Sequence, residues 1–347
     1  MVHVNFLNTR LALRKAVVGA TVTLMIAVTA GCGASSTADS EAGNKDVAIG
    51  GQRFATADEE TAKFGADQDK DGVFPRTVTH ARGTTTIESQ PQRVVVLDSG
   101  ELDQVLALGI KPVGMVSSDS ADAVPAYLGD KAEGIKNVGT INELNLEAIA
   151  ALKPDLILGS QLRADKTYDK LAQIAPTVFS VRPGFPWKEN TLLVGAALGK
   201  REAAVDLLNK YQDAAEALGK DIEGDPEISL LRFSAKWVRL YANKSLIGVI
   251  MKDVGLKRPA NQDIEDLKAE ISAENLTEAD ADWIFYSSYG DPKATGEQAA
   301  IDGPLWDKLD AVKQGHAIRV DDDVWFMGLG PIGAMEILKD LRENLVK

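Results

Sequence analysis

The sequence predicts an α/β protein of two Rossmann-like lobes, each with a parallel-type sheet, joined by one long helix. Three observations carry this expectation. Short apolar, β-branched runs alternate with helically spaced segments twice along the chain, the pattern of strands covered on both faces by helices. Between the two series lies the longest amphipathic stretch, 20 residues from Arg201 to Lys220. One local element also recurs in each half: a glutamate opens a helix, and an aspartate eight residues later opens an apolar strand. It occurs as Glu147 with Asp155 and again as Glu274 with Asp282.

The chain has 347 residues, more than one compact core normally needs. Its first 31 residues read as an export signal outside the fold. Arg10, Arg14 and Lys15 precede an apolar run from Ala16 to Ala30, followed by Gly31 and Cys32. A basic segment, a short apolar segment and small residues at the end describe a secretory signal. The apolar run falls short of the ~20 residues that a membrane-spanning helix needs. Cys32 is the only cysteine, and with Thr29-Ala30-Gly31 before it the segment resembles a bacterial lipobox, although Thr29 stands where leucine is usual. Two acyl chains on Cys32 would anchor the chain stably. No disulfide can form within the chain, so each lobe must rely on its own core.

Loss of residues 1–31 removes three of the 38 Lys and Arg and none of the 51 Asp and Glu, taking the net charge from −13 to −16. That argues against nucleic acid as a partner and against membrane adhesion through a basic patch. An anionic ligand would therefore need a local cluster of arginines. Residues 32–75, rich in Ala, Ser, Gly, Asp and Glu, read as a flexible acidic tether. Asp67-Gln68-Asp69-Lys70-Asp71-Gly72 within it is similar to the first half of a calcium loop, but Val78 stands where a bidentate glutamate is required.

The first lobe is expected over 76–200. Arg93 to Asp98 reads as a buried strand and Glu101 to Gly109 as a helix on Leu102, Val105, Leu106 and Leu108, with Gly109 as its stop. Pro112 to Val116 reads as a strand, Leu146 to Lys153 as a helix and Asp155 to Gly159 as a strand. Asp165 to Ile174 reads as a helix and Thr177 to Val181 as a strand. The linker helix occupies 201–222 and would reach roughly 30 Å at about 1.5 Å per residue, which suits a strut between lobes. The second lobe is expected over 223–347. Strands are read at Ile228 to Phe233, Val238 to Tyr241, Asp282 to Ser287 and Ala317 to Val320. Helices are read at Ser245 to Val254, Pro304 to Ala311 and Leu329 to Leu345.

Several stretches in this order resemble the family of iron-siderophore and cobalamin binding proteins of ABC importers. They are Gln92-Arg-Val-Val-Val-Leu-Asp, Leu108-Gly-Ile-Lys-Pro-Val-Gly, Asn137-Val-Gly-Thr, Asn145-Leu-Glu-Ala-Ile-Ala-Ala-Leu-Lys-Pro-Asp-Leu-Ile-Leu-Gly, Lys170-Leu-Ala-Gln-Ile-Ala-Pro-Thr-Val and Trp325-Phe-Met-Gly-Leu-Gly-Pro-Ile-Gly. The resemblance covers about residues 76–347 and implies the helical-backbone (class III) fold, with the ligand in the cleft between lobes. It implies a monomeric, lipid-anchored binding protein on the extracytoplasmic face of the membrane, not an enzyme and without a cofactor. In the family one exposed glutamate per lobe docks on arginines of the permease subunits, and Glu147 and Glu274 occupy the matching positions. Both also suit helix starts through the macrodipole alone.

Ligands of open parallel sheets lie beyond the carboxyl ends of the strands. The residues expected there are Arg163, Arg182 and Trp187 in the first lobe, and Trp237, Arg239, Tyr241, Tyr289 and Trp325 in the second. Arginine forks suit the anionic oxygens of a ferric siderophore, and the aromatic rings would form flat walls. A bare metal is disfavoured, since only His3, His80 and His316 occur and His3 leaves with the signal. Haem on Tyr241 or Tyr289, cobalamin, and a structural or signalling envelope module stay open as alternatives. No G-x-S-x-G elbow, P-loop or dinucleotide fingerprint points to an enzyme. Asp321-Asp322-Asp323 reads as a solvated turn.

Overall fold

The computed structural model describes residues 61, 63–68, 70–118 and 124–346. The signal segment over 1–31, Cys32 and the tether up to residue 60 lie outside the described residues, as does Asp69. Among the described residues no helix is long and apolar enough to cross a membrane.

The tether ends before residue 75. Strand β1 (Gly65–Ala66) pairs antiparallel with β2 (Arg76–His80), which pairs with β3 (Gly83–Ile87). Phe64 and Ala66 are buried in the main core. The acidic residues here close local structure: Asp67 Oδ1 accepts from Thr77 N at 3.0 Å, and Asp71 Oδ1 accepts from Glu202 N at 3.1 Å.

The first lobe then runs β4 (Val94–Val96), α1 (Ser99–Ala107), β5 (Gly114–Ser117), β6 (Lys136–Thr140), α2 (Leu146–Ala151), β7 (Leu156–Ser160) and β8 (Thr177–Ser180). The five strands form a wholly parallel sheet in the order β6-β5-β4-β7-β8. Every residue of β4, β7 and β8 is buried, which is why these strands read as unbroken apolar runs. Helix α3 (Trp187–Leu198) follows, with all of its residues buried. The helix expected over 165–174 is instead a short helical turn at Gln161–Ala164, a 3₁₀ turn at Asp165–Thr167 and a second short helix at Tyr168–Ala172.

Helix α4 (Arg201–Asp221) spans 21 residues, with Ala204, Leu208, Tyr211, Ala215 and Leu218 as its buried stripe. Their spacing of three and four residues keeps them on one side of the helix. The second lobe contains β9 (Ile228–Ser234), β10 (Trp237–Tyr241), α5 (Leu246–Val254), β11 (Lys268–Ile271), β12 (Trp283–Ser288), β13 (Ala317–Arg319), α6 (Asp322–Trp325) and α7 (Pro331–Leu345). Its sheet, ordered β11-β10-β9-β12-β13, is mixed: β9, β12 and β13 are parallel, while β10 and β11 run antiparallel at one edge.

The repeated sequence element has a physical role. Asp155 accepts from the backbone N–H groups of Gln92 and Arg93, both at 2.8 Å, immediately before β4. Asp282 accepts from Glu227 N at 2.9 Å, immediately before β9. Each aspartate thus ties the start of one central strand to the start of its parallel neighbour, with Val94 opposite Leu156 and Ile228 opposite Trp283.

The lobes are joined by more than a rod. Helix α4 packs against α3 from the first lobe and against α5 and α7 from the second. A Cβ on Gly219 of α4 would collide with the carbonyl oxygen of Val254, so the α4 and α5 backbones touch there. Lys188 Nζ on α3 lies 2.6 Å from Asp253 Oδ2 on α5, with both side chains 1% exposed, and Tyr211 OH of α4 donates to the same oxygen at 2.9 Å. A second tie comes from Asp103 on α1. Its carboxylate accepts from Ile332 N at 2.8 Å and Gly333 N at 2.9 Å in the first turn of α7, and from Tyr127 OH at 3.0 Å. Gly330 makes room, since a Cβ there would lie 2.6 Å from Asp103 Oδ1.

Candidate functional site

A cleft of about 370 Å³ opens between the lobes at the carboxyl ends of their parallel strands. Arg163 reaches it from the turn after β7, and Arg182 from the segment after β8. The β9–β10 hairpin supplies Arg232, Trp237, Arg239 and Tyr241, and Tyr289 follows β12. Arg232 and Arg239 are direct cross-strand partners, so both side chains leave the same face of the hairpin. Like charges in that position repel, and each is held by an acid.

Arg163 Nε donates to Asp98 Oδ2 at 2.9 Å, while Asp98 Oδ1 caps α1 through Ser99 N at 2.7 Å. Arg239 Nε donates to Glu270 Oε1 at 3.0 Å on β11, and Lys268 pairs with the same carboxylate. Arg232 is used fully inside the protein. Its Nε and Nη2 fork onto Asp322 at 2.7 and 2.5 Å, and its Nη1 donates to Tyr241 OH at 3.1 Å. Burial works against its charge, but the bonds to Asp322 and Tyr241 outweigh it and raise its pKa. Arg182 differs from the other three. Among the described residues its guanidinium has no acidic partner, and its buried Nε has no acceptor. Burial first, and then the nearby Arg163, lower its pKa, with Asp266 acting in the opposite sense.

Beneath the Asp98–Arg163 pair lies Glu101 of α1, fully enclosed, with one carboxylate oxygen lacking any partner among the described residues. Burial, and then the Asp98 charge, push its pKa up to about 8.

The structure brings seven of the eight expected ligand residues to this cleft: Arg163, Arg182, Trp237, Arg239, Tyr241, Tyr289 and Trp325. Trp187 is the exception and is a core residue. It is wholly buried as the first residue of α3, with its ring edge-on to Tyr211 at 4.8 Å. It follows Arg182 closely in sequence, but the chain turns into a fully buried helix before reaching it. Trp325 touches the cleft only as part of its floor. Its indole N–H donates to Asp340 Oδ2 at 2.8 Å, and its ring stacks on Phe285 at 4.7 Å.

The aromatic walls also differ from the expected bare platforms. Arg239 lies over the Trp237 ring at 3.8 Å, and Arg232 sits over Tyr289 at 4.8 Å and Phe326 at 5.1 Å. Sequence reasoning missed Arg232, Phe326 and Met327. Arg232 did carry a signal, being the only charged residue in β9, Ile-Ser-Leu-Leu-Arg-Phe-Ser.

Asp321 caps α6 through Asp323 N at 2.9 Å, and Asp322 is occupied by Arg232 and by Ser287 Oγ at 2.6 Å, so this run is more than a solvated turn. Among the described residues no cluster of three or more His, Cys, Asp or Glu is placed to hold a metal ion. Glu147 lies in the first turn of α2 and Glu274 in the 3₁₀ turn Ala273–Ala279. Both are exposed, and neither carboxylate has a partner among the described residues.

The periplasmic binding protein family model matches residues 94–324. "Probable siderophore-binding lipoprotein YfiY" of Bacillus subtilis (strain 168) is 39% identical over 289 residues, covering 78% of this chain and 88% of the relative. "Fe(3+)-citrate-binding protein YfmC" of the same organism is 30% identical, covering 79% and 88%. Among solved structures, Staphylococcus aureus SirA complexed with staphyloferrin B is similar with a TM-score of 0.71 and 34% identity, covering 78% of this chain and 99% of that one.

Proposed function

We propose, because this chain belongs to the periplasmic binding protein family, that it captures a ferric siderophore in the interlobe cleft and delivers it to an ABC importer. The observation that carries the reading is the set of arginines converging on that cleft from both lobes, in a chain whose overall charge is −13. Such a local cation cluster on an acidic protein selects an anionic guest. The names of the relatives, which refer to siderophore and Fe(3+)-citrate binding, support the same class of ligand. The protein acts by binding alone, as a monomer and without a cofactor.

Delivery places the protein outside the cell membrane, held by lipid on Cys32 after removal of residues 1–31. The exposed, unpartnered carboxylates of Glu147 and Glu274, one on each lobe, suit docking on basic residues of two permease subunits. The lobes are taken as 76–200 and 223–347, bridged by α4 (Arg201–Asp221).

Titration of the mature protein with ferric siderophores, followed by tryptophan fluorescence, tests the central claim. Trp237 in the cleft wall is the reporter. Saturable quenching with a Kd of about 1 μM or tighter is expected. If haem or cobalamin saturates the protein and no ferric chelate does, the proposal fails. Glu147→Arg combined with Glu274→Arg should leave binding unchanged and abolish uptake by cells. Normal uptake would refute the docking role.

A further inference from the structure

The four cleft arginines are not equivalent, and their free N–H groups define what they can hold. Arg232 spends Nε, Nη1 and Nη2 on Asp322 and Tyr241. Arg163 and Arg239 are each tethered through Nε alone, to Asp98 and Glu270, leaving both terminal nitrogens without a partner among the described residues. Arg182 has no hydrogen-bond acceptor among the described residues: its Nε is buried and its guanidinium lies over the Phe185 ring at 5.1 Å. The cleft therefore offers three open guanidinium forks, Arg163 and Arg182 from the first lobe and Arg239 from the second. No lysine is among the residues that line it.

A planar fork of paired N–H donors matches a carboxylate bidentately, which a lysine point charge does not. The rings that could receive flat catechol groups are already covered: Arg239 lies on Trp237, and Arg232 fills the space over Tyr289 and Phe326. A neutral hydroxamate chelate would give the three forks no localised negative charge to meet. Arg163 and Arg182 repel each other across the first-lobe wall, a cost that an anionic oxygen pair between them would remove.

Resting on the reading of this cleft as a ferric-siderophore site, we infer that its ligand is a carboxylate-type ferric chelate bearing at least two free carboxylates. Arg163 and Arg182 clamp one of them, and Arg239 holds another from the opposite lobe. The carboxylates thereby bridge the lobes, and the chelated iron lies between the two clamps without any protein ligand.

The test uses the mature protein and three probes: ferric citrate, the ferric complex of desferrioxamine B as a tris-hydroxamate, and the ferric complex of enterobactin as a tris-catecholate. Ferric citrate is expected to bind at least ~10-fold more tightly than either of the others, the scale of one charge-assisted hydrogen bond. Arg182→Gln and Arg239→Lys should each weaken ferric citrate by about 10- to 100-fold. The thermal midpoint should be unchanged, since neither guanidinium supports the core. Arg239→Lys keeps the charge and removes the fork, so an unaltered affinity in that variant would overturn the clamp. Tighter binding of the hydroxamate or catecholate complex would overturn the carboxylate assignment while leaving siderophore capture standing. Binding of no ferric complex at all would overturn both.

Discussion

Replacing Asp103 with alanine should loosen the contact between the lobes without touching the cleft. The Asp103 carboxylate lies on α1 but caps α7, taking the N–H groups of Ile332 and Gly333 at 2.8 and 2.9 Å and the hydroxyl of Tyr127 at 3.0 Å. In the alanine variant two backbone donors lose their acceptor in a site closed to water. Orphaned buried donors cost about 1–3 kcal/mol each, and loss of an N-cap costs about 0.5–2 kcal/mol. Part of this is offset, because the enclosed carboxylate is itself strained by burial, which pushes its pKa up to about 6. A net loss of about 3 kcal/mol is expected, or roughly 4–5 °C in thermal midpoint for a chain of this size. Asp103→Asn should fall about halfway, because its carbonyl can still serve Ile332 while its amide faces the Gly333 N–H. The measurement is urea unfolding followed by circular dichroism at pH 7.5, with ligand affinity as a control. A loss below about 1 kcal/mol in the alanine variant would refute the reasoning, since even an exposed cap contributes about that much.

Two further outcomes follow from the buried groups. Glu101 has a folded-state pKa of about 8, far above its unfolded value of ~4.3. The folded protein therefore binds the extra proton, and this contribution to stability is complete below about pH 4 and is lost as pH rises through 8. The slope approaches 1.4 kcal/mol per pH unit within the window, and Glu101→Gln should flatten unfolding curves recorded between pH 5 and 8; an unchanged slope would exclude Glu101 as its source. Trp187→Ala should lower the thermal midpoint as a large core truncation of about 3–5 kcal/mol, while leaving the Kd of the folded protein for its ferric ligand unchanged. A large loss of affinity at unchanged stability would return this residue to the binding surface.

The alternating elements were legible because their burial is one-sided or complete in a regular way. Strand β4 is Val-Val-Val, and the stripe of α4 repeats at helical spacing. Helix α3 was not legible. It buries even Lys188, Glu189 and Asn190, so it has no polar face to give a period. Trp187 was misassigned for the same reason. In β2 the buried and open residues of Arg-Thr-Val-Thr-His do alternate, but the acidic, glycine-containing segment before it masked the strand. The cleft was readable at the level of which residues follow which strand ends, and Arg163, Arg182, Arg239 and Tyr289 all line it. Which cation an acid would consume depends on contacts such as Arg232 with Asp322, 90 residues apart, and no local pattern encodes that. The covering of Trp237 by Arg239 is likewise a product of side-chain geometry on the hairpin.

The bare backbone at Gly219 has a consequence for how this protein can diversify. Any side chain there would strike the Val254 carbonyl, so substitution at this position should be as damaging as substitution in the cleft. Its damage would arise in assembly of the two halves, not in choice of cargo. Scaffold and selectivity are thus written in separate residues. A lineage could exchange the forks at 163, 182 and 239 for other chemistries and acquire new nutrients, provided it left that single hydrogen atom in place.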